Sequence, residues 1–132
     1  MSVAFRRDVV ILACAISAGI HGALSPAHLS EGAGAGAAFV AATVLLAGLA
    51  VALTRRPDGD LLYVVAALAF GGLIASYAAA VTTGLPVLHP EPEPVDGLAL
   101  VSKGSEAVGA VAATTLFGRR PAVVLHLRTK GI

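Results

Sequence analysis

Four side chains stand out in a chain that otherwise offers little chemistry. His21, His28 and Glu31 fall within the run His-Gly-Ala-Leu-Ser-Pro-Ala-His-Leu-Ser-Glu, and Glu106 lies far downstream, three residues after Lys103. Imidazole nitrogen and carboxylate oxygen together suit Zn(II), Cu(II), iron or manganese, while Cu(I) prefers sulfur. The chain has one cysteine, Cys14, so an internal disulfide, a thiolate-rich site and a CxxC pair are excluded. Nothing resembles His-Glu-x-x-His or the paired Glu-x-x-His of di-iron bundles. The pattern therefore predicts a zinc or copper site at His21, His28, Glu31 and Glu106. His89, Glu93, Asp96, Lys103 and Ser17 are candidates for a lid or second shell. Cys14, Ser17 and His21 share one helical face, which is polar where the surrounding residues are not.

The composition says where such a site must sit. Of 132 residues, 57% are hydrophobic and 13% charged, with a mean hydropathy of +0.86. That is about half the charge of an ordinary soluble domain, too little to cover a water-facing surface. Disorder is excluded for the same reason. The net charge of +1 gives no footprint for nucleic acid.

Four segments are long enough to consider as spans, at about 8–24, 26–53, 61–83 and 97–117. Lipid leaves open backbone no partner, so each is expected to be a helix. Ser25-Pro26 reads as an N-cap followed by proline in the first helical position, which puts the first turn there and starts the second helix at residue 26. On that reading His28 and Glu31 open the second helix and meet His21 at one depth, about 5 Å below the surface. Arg-Arg-Pro-Asp-Gly-Asp at 55–60 is a turn. The proline- and glutamate-rich segment 84–96 cannot be helical, and Asp96 caps the fourth helix. Short connections imply antiparallel neighbours, so the fold predicted is all-α: a single membrane domain, a transmembrane antiparallel four-helix bundle.

Eight of the nine basic residues (Arg6, Arg7, Arg55, Arg56, Arg119, Arg120, Arg128 and Lys130) fall on one side of that topology. By the positive-inside rule both termini are then cytoplasmic, with a basic tail over 118–132, and the candidate site faces the extracytoplasmic side of a bacterial plasma membrane. Arg6-Arg7 before Val9–Ile20 also has the shape of a secretory signal, but the segment is read here as a retained span. Gly32, Gly34 and Gly36, Gly71 and Gly72, and Gly104 and Gly109 supply the small residues on which membrane helices pack.

The His21–Glu31 run, followed by a small-residue helix and then by Pro-Glu93-Pro-Val and Leu-Val-Ser-Lys103-x-x-Glu106, resembles uncharacterised small four-span membrane proteins of high-GC bacteria over about residues 10–115. The resemblance implies a four-helix membrane fold with a shared polar outer site at His21, His28, Glu31 and Glu106, and no particular reaction. Taken together, these observations point to a metal-handling or metal-sensing membrane protein. The alternatives are a non-catalytic accessory subunit of a larger membrane complex, and a small proton-coupled transporter using Lys103 and Glu106. The expected partners are the lipid bilayer and either further copies in a homo-oligomer or a larger membrane complex. No nucleophile, phosphate loop or acid–base pair marks it as an enzyme. The metal reading predicts near-stoichiometric zinc or copper in protein purified without chelators, with loss of that metal in His28→Ala. Elemental analysis checks both.

Overall fold

The computed structural model describes residues 1–57, 59–86, 88 and 90–117. Asp58, Val87, His89 and the tail 118–132 lie outside the described residues, so the lid role expected of His89 and the basic tail do too. Four helices carry the fold: α1 (Val3–Glu31), α2 (Ala33–Arg55), α3 (Asp60–Thr82) and α4 (Gly97–Thr114). The described residues contain no strand.

Helix α1 differs from the sequence expectation at both ends. It starts at Val3, where the Ser2 hydroxyl accepts a hydrogen bond from the Phe5 amide at 3.1 Å. It then runs straight through Ser25-Pro26 and ends at Gly32, whose amide donates to the His28 carbonyl. Ser25 does not cap a helix. It is buried, and its hydroxyl donates backward to the His21 carbonyl at 2.8 Å. Proline removes one rung of the helical ladder, a loss that a serine one residue away and close neighbours can offset in a packed apolar setting. The turn falls instead where α2 can lie closest to α1. A Cβ on Gly36 would collide with the Leu29 side chain and come within 2.6 Å of its Cα. Small residues therefore decide the position of the hairpin, and the Ser-Pro signal does not.

The remaining boundaries follow the sequence. Arg56–Gly59 separates α2 from α3, and Asp96 caps α4 by accepting from the Ala99 amide at 2.7 Å. The described part of the 84–96 segment is non-helical. It begins at Gly84, whose φ of +72° places it in the left-handed region, with the Pro90 carbonyl packed where a side chain would go.

Contacts run in opposite senses along adjacent helices. Gly22 and Leu29 of α1 face Thr43 and Gly36 of α2. Ala13 and Ser17 of α1 meet Gly109 and Glu106 of α4. Phe70 and Tyr77 of α3 lie beside Gly109 and Lys103 of α4. The helices thus form an antiparallel bundle in which, of the neighbouring pairs, α2 and α3 touch least. The core runs through Val10, Cys14, Leu46, Leu53, Ala66, Phe70 and Ala113.

Helices α1, α2 and α3 are each long and apolar enough to cross a membrane. At 1.5 Å per residue they measure about 43, 34 and 34 Å, against roughly 30 Å of hydrocarbon. Their outward faces are apolar, as Leu12, Val44 and Leu68 show, and α4 presents Val101, Val108 and Val111 in the same way. Hydroxyls on the helices bond back to their own backbone, as Thr43 does to Phe39, Thr54 to Ala50 and Ser76 to Gly72. That habit spares a polar group the cost of an apolar surround.

The two glycines of α4 separate packing from propensity. A Cβ on Gly109 would sit 2.6 Å from both the Ala13 Cβ and the Phe70 ring, whereas one on Gly104 meets nothing within 4 Å. Gly109→Ala should destabilise the protein by about 1–3 kcal/mol through overpacking. Gly104→Ala should be neutral or stabilising by up to about 1 kcal/mol. Unfolding in detergent checks the pair.

Candidate functional site

The deepest polar residue is Glu106, which is fully buried. Helix α4 brings two of its partners from its own sequence. Ser102, one turn earlier, donates to Oε1 at 3.0 Å, and Lys103 donates from Nζ to Oε2 at 2.6 Å. The third partner comes from α1, where the Ser17 hydroxyl donates to Oε1 at 2.7 Å. Three donors and one opposite charge satisfy a carboxylate that insertion scales penalise by ~2.5–3.5 kcal/mol at the centre of a membrane.

His21 extends this network along α1. Its Nδ1 lies 2.9 Å from the Ser17 carbonyl and 3.3 Å from the Ser17 hydroxyl. A carbonyl can only accept, so Nδ1 carries the proton and Nε2 is left as the ring's acceptor. The order from α4 to α1 is therefore Lys103, Glu106, Ser17, His21.

His28 and Glu31 belong elsewhere. With the turn at Gly32 they occupy the last turn of α1, and His21 lies deeper along the same helix, seven residues (about 10 Å) from His28 and ten (about 15 Å) from Glu31. The His28 Nδ1 pairs with Glu31 Oε2 at 2.9 Å, and its ring stacks on Phe39 with centroids 3.8 Å apart. The four residues read from the sequence as one ligand set thus fall into two groups: His21 and Glu106, linked through Ser17, and His28 paired directly with Glu31. Phe39 lies beside both imidazoles, 5.2 Å from the His21 ring. No group of three His, Cys, Asp or Glu side chains able to hold a metal ion occurs among the described residues. The carboxylate donors are already engaged, Glu31 by His28 and Glu106 by three hydrogen-bond donors.

A cavity of about 260 Å³ adjoins the deeper network. All four helices line it, and Leu85, Leu88 and Glu93 of the 84–96 segment close its end. The Glu93 amide anchors that segment to the Ala80 carbonyl at 3.0 Å. Most of the wall is Ala, Leu and Phe. The polar exceptions are His21, Ser102, Lys103, Ser76, Tyr77 and Glu93. Ser76 and Ser102 spend their hydroxyl protons on Gly72 and Glu106. The Tyr77 hydroxyl is buried with no hydrogen-bond partner among the described residues, and the Lys103 ammonium lies 5.6 Å from the Tyr77 ring centre.

Of the expected lid and second-shell residues, Ser17 and Lys103 join the buried network, Glu93 reaches the cavity wall, and Asp96 acts as the α4 cap. Sequence reasoning missed Ser102, Phe39 and Tyr77. The spacing of Ser102 one turn before Glu106 is a usable signal; Phe39 and Tyr77 have none, because only the bundle brings them to the cavity.

Fold and site together describe an all-helical protein with a buried ion pair beside a partly open, mostly apolar cavity. Compared with known protein families, curated proteins and solved structures, the chain matches none.

Breaking a buried pair leaves a charge without compensation, at about 3–5 kcal/mol, whereas replacing both members with apolar residues is often close to neutral. Lys103→Met alone should therefore be strongly destabilising, and adding Glu106→Leu should recover most of the loss. Denaturation of the two variants in the same detergent checks this.

Proposed function

We propose that this is an integral membrane protein of the bacterial plasma membrane that binds a small, mainly apolar molecule carrying a neutral oxygen acceptor, such as a carbonyl. All four helices cross the bilayer in this reading. Helix α4, though short and charged, presents an apolar outer face and hides Lys103 and Glu106 within the bundle. Arg6 and Arg7 at the start of α1 share an end of the bundle with Arg55 and Arg56 at the close of α2, and that end is cytoplasmic. The cavity then opens toward the extracytoplasmic half.

The observation that carries this reading is the buried Tyr77 hydroxyl, without a hydrogen-bond partner among the described residues, on a residue that lines a cavity also presenting Lys103 and His21. A buried donor left unmade costs about 1–3 kcal/mol, so it marks a place where a ligand has something to gain. Tyr77 and Lys103 offer donors from α3 and α4, and His21 offers an acceptor from α1. The volume is below the roughly 300–1,000 Å³ of drug-sized sites, so the ligand is compact. Glu106 neutralises Lys103 and fixes its position, which favours a hydrogen-bonded head over a strongly charged one.

Ion handling is the second reading, and the tautomer of His21 favours it. Nδ1 donates to a backbone carbonyl and Nε2 is open, the arrangement typical of a metal-binding imidazole. On this geometry the ion enters through His21 and Glu93 of the cavity wall, and His28 has no part in it.

Thermal stability of the purified protein, measured with acetophenone and similar compact carbonyl probes, tests the first reading. A binding probe should raise Tm, and Tyr77→Phe should weaken its binding about tenfold, the value of one hydrogen bond. Ala42→Leu, which fills the cavity, should abolish the effect. Binding unchanged in Ala42→Leu would remove the cavity from consideration.

A further inference from the structure

The loose contact between α2 and α3 leaves a second concavity at the arginine end of the bundle, far from the cavity described above. It is a groove of about 700 Å³ with apolar walls, including Gly48 and Val51 of α2 and Leu61 and Leu62 of α3. Gly48 faces open space, since a Cβ there would meet no neighbour within 4 Å. Arg55 and Arg56 stand on its rim, both exposed. Neither guanidinium has a carboxylate partner among the described residues. The one described acid near them, Asp60 in the first turn of α3, is exposed and does not line the groove.

The geometry points to a binding site for one anionic phospholipid, its acyl chain in the groove and its phosphate held between Arg55 and Arg56. The inference rests on the membrane reading but not on the ligand of the inner cavity. Charge and shape select the occupant. An apolar slot that ends at two guanidiniums matches an amphiphile with a long chain and an anionic head. Guanidinium groups bind phosphate oxygens through paired N–H donors, and they sit where a helix ending near the hydrocarbon boundary places them. A soluble anion would leave the slot empty, and a zwitterionic lipid would bring a cationic group toward two arginines.

Native mass spectrometry of the detergent-purified chain separates these cases, using phosphatidylglycerol and phosphatidylcholine with identical acyl chains, and inorganic phosphate alone. Phosphatidylglycerol should be retained about 30-fold more tightly than phosphatidylcholine, given the attraction that two basic side chains supply at an anionic head group. The exposed double variant R55Q/R56Q should bind the two lipids equally. Gly48→Leu should weaken phosphatidylglycerol with both arginines intact, which a purely electrostatic attraction would not do. Asp60→Asn should leave the preference in place or strengthen it. Equal retention of the two lipids by the unaltered protein, an undiminished preference in R55Q/R56Q, or phosphate alone competing off the lipid would each overturn the assignment.

Discussion

A carboxylate with no access to water imposes the strictest condition in this molecule. Glu106 is fully buried, and it is tolerable only because Lys103, Ser102 and Ser17 all donate to it. Two of those donors come from the same helix, so α4 arrives with the charge nearly neutralised. The third comes from α1 and ties the first helix to the last. Ser17 can reach Glu106 only if α1 and α4 approach closely, and Gly109 against Ala13 provides that approach about one turn away. Polar satisfaction and small-residue packing are thus one constraint seen from two sides.

The same closeness shapes the empty space. Where α1 meets α2 and α4, small residues let backbones nearly touch. Where α2 passes α3, they do not, and room is left at both ends of the bundle. One end holds a partly open cavity beside the proline-rich segment, with polar groups drawn from α1, α3 and α4. The other end is an open apolar groove with arginines on its rim. These spaces differ in the chemistry they offer because the charges were already segregated along the helices.

How much of this was legible can be judged residue by residue. The all-helical fold, the Arg56–Gly59 turn, the Asp96 cap and the pairing of Lys103 with Glu106 all depend on neighbours in sequence, and each could be read there. The first turn could not. Ser25-Pro26 is a sound local start signal, yet the helix runs through it, because the preference of a cap is worth about 1 kcal/mol and close packing around Gly36 outweighs it. That shift of a few residues moved His28 and Glu31 to the tip of α1 and divided the expected ligand set in two.

The sequence by itself determined what is decided by composition and short spacing: apolar rods too poor in charge for water, the points where prolines forbid helix, and the ion pair within one turn of α4. The tertiary structure alone decided which polar groups share a space. Ser17 meets Glu106 across 89 positions of chain, Phe39 lies against two histidines, and Tyr77 lines the cavity with a buried hydroxyl that has no hydrogen-bond partner among the described residues. Those meetings depend on the register in which helices pack. Register is fixed by the shapes of many small side chains acting together, and no single residue or local motif encodes it.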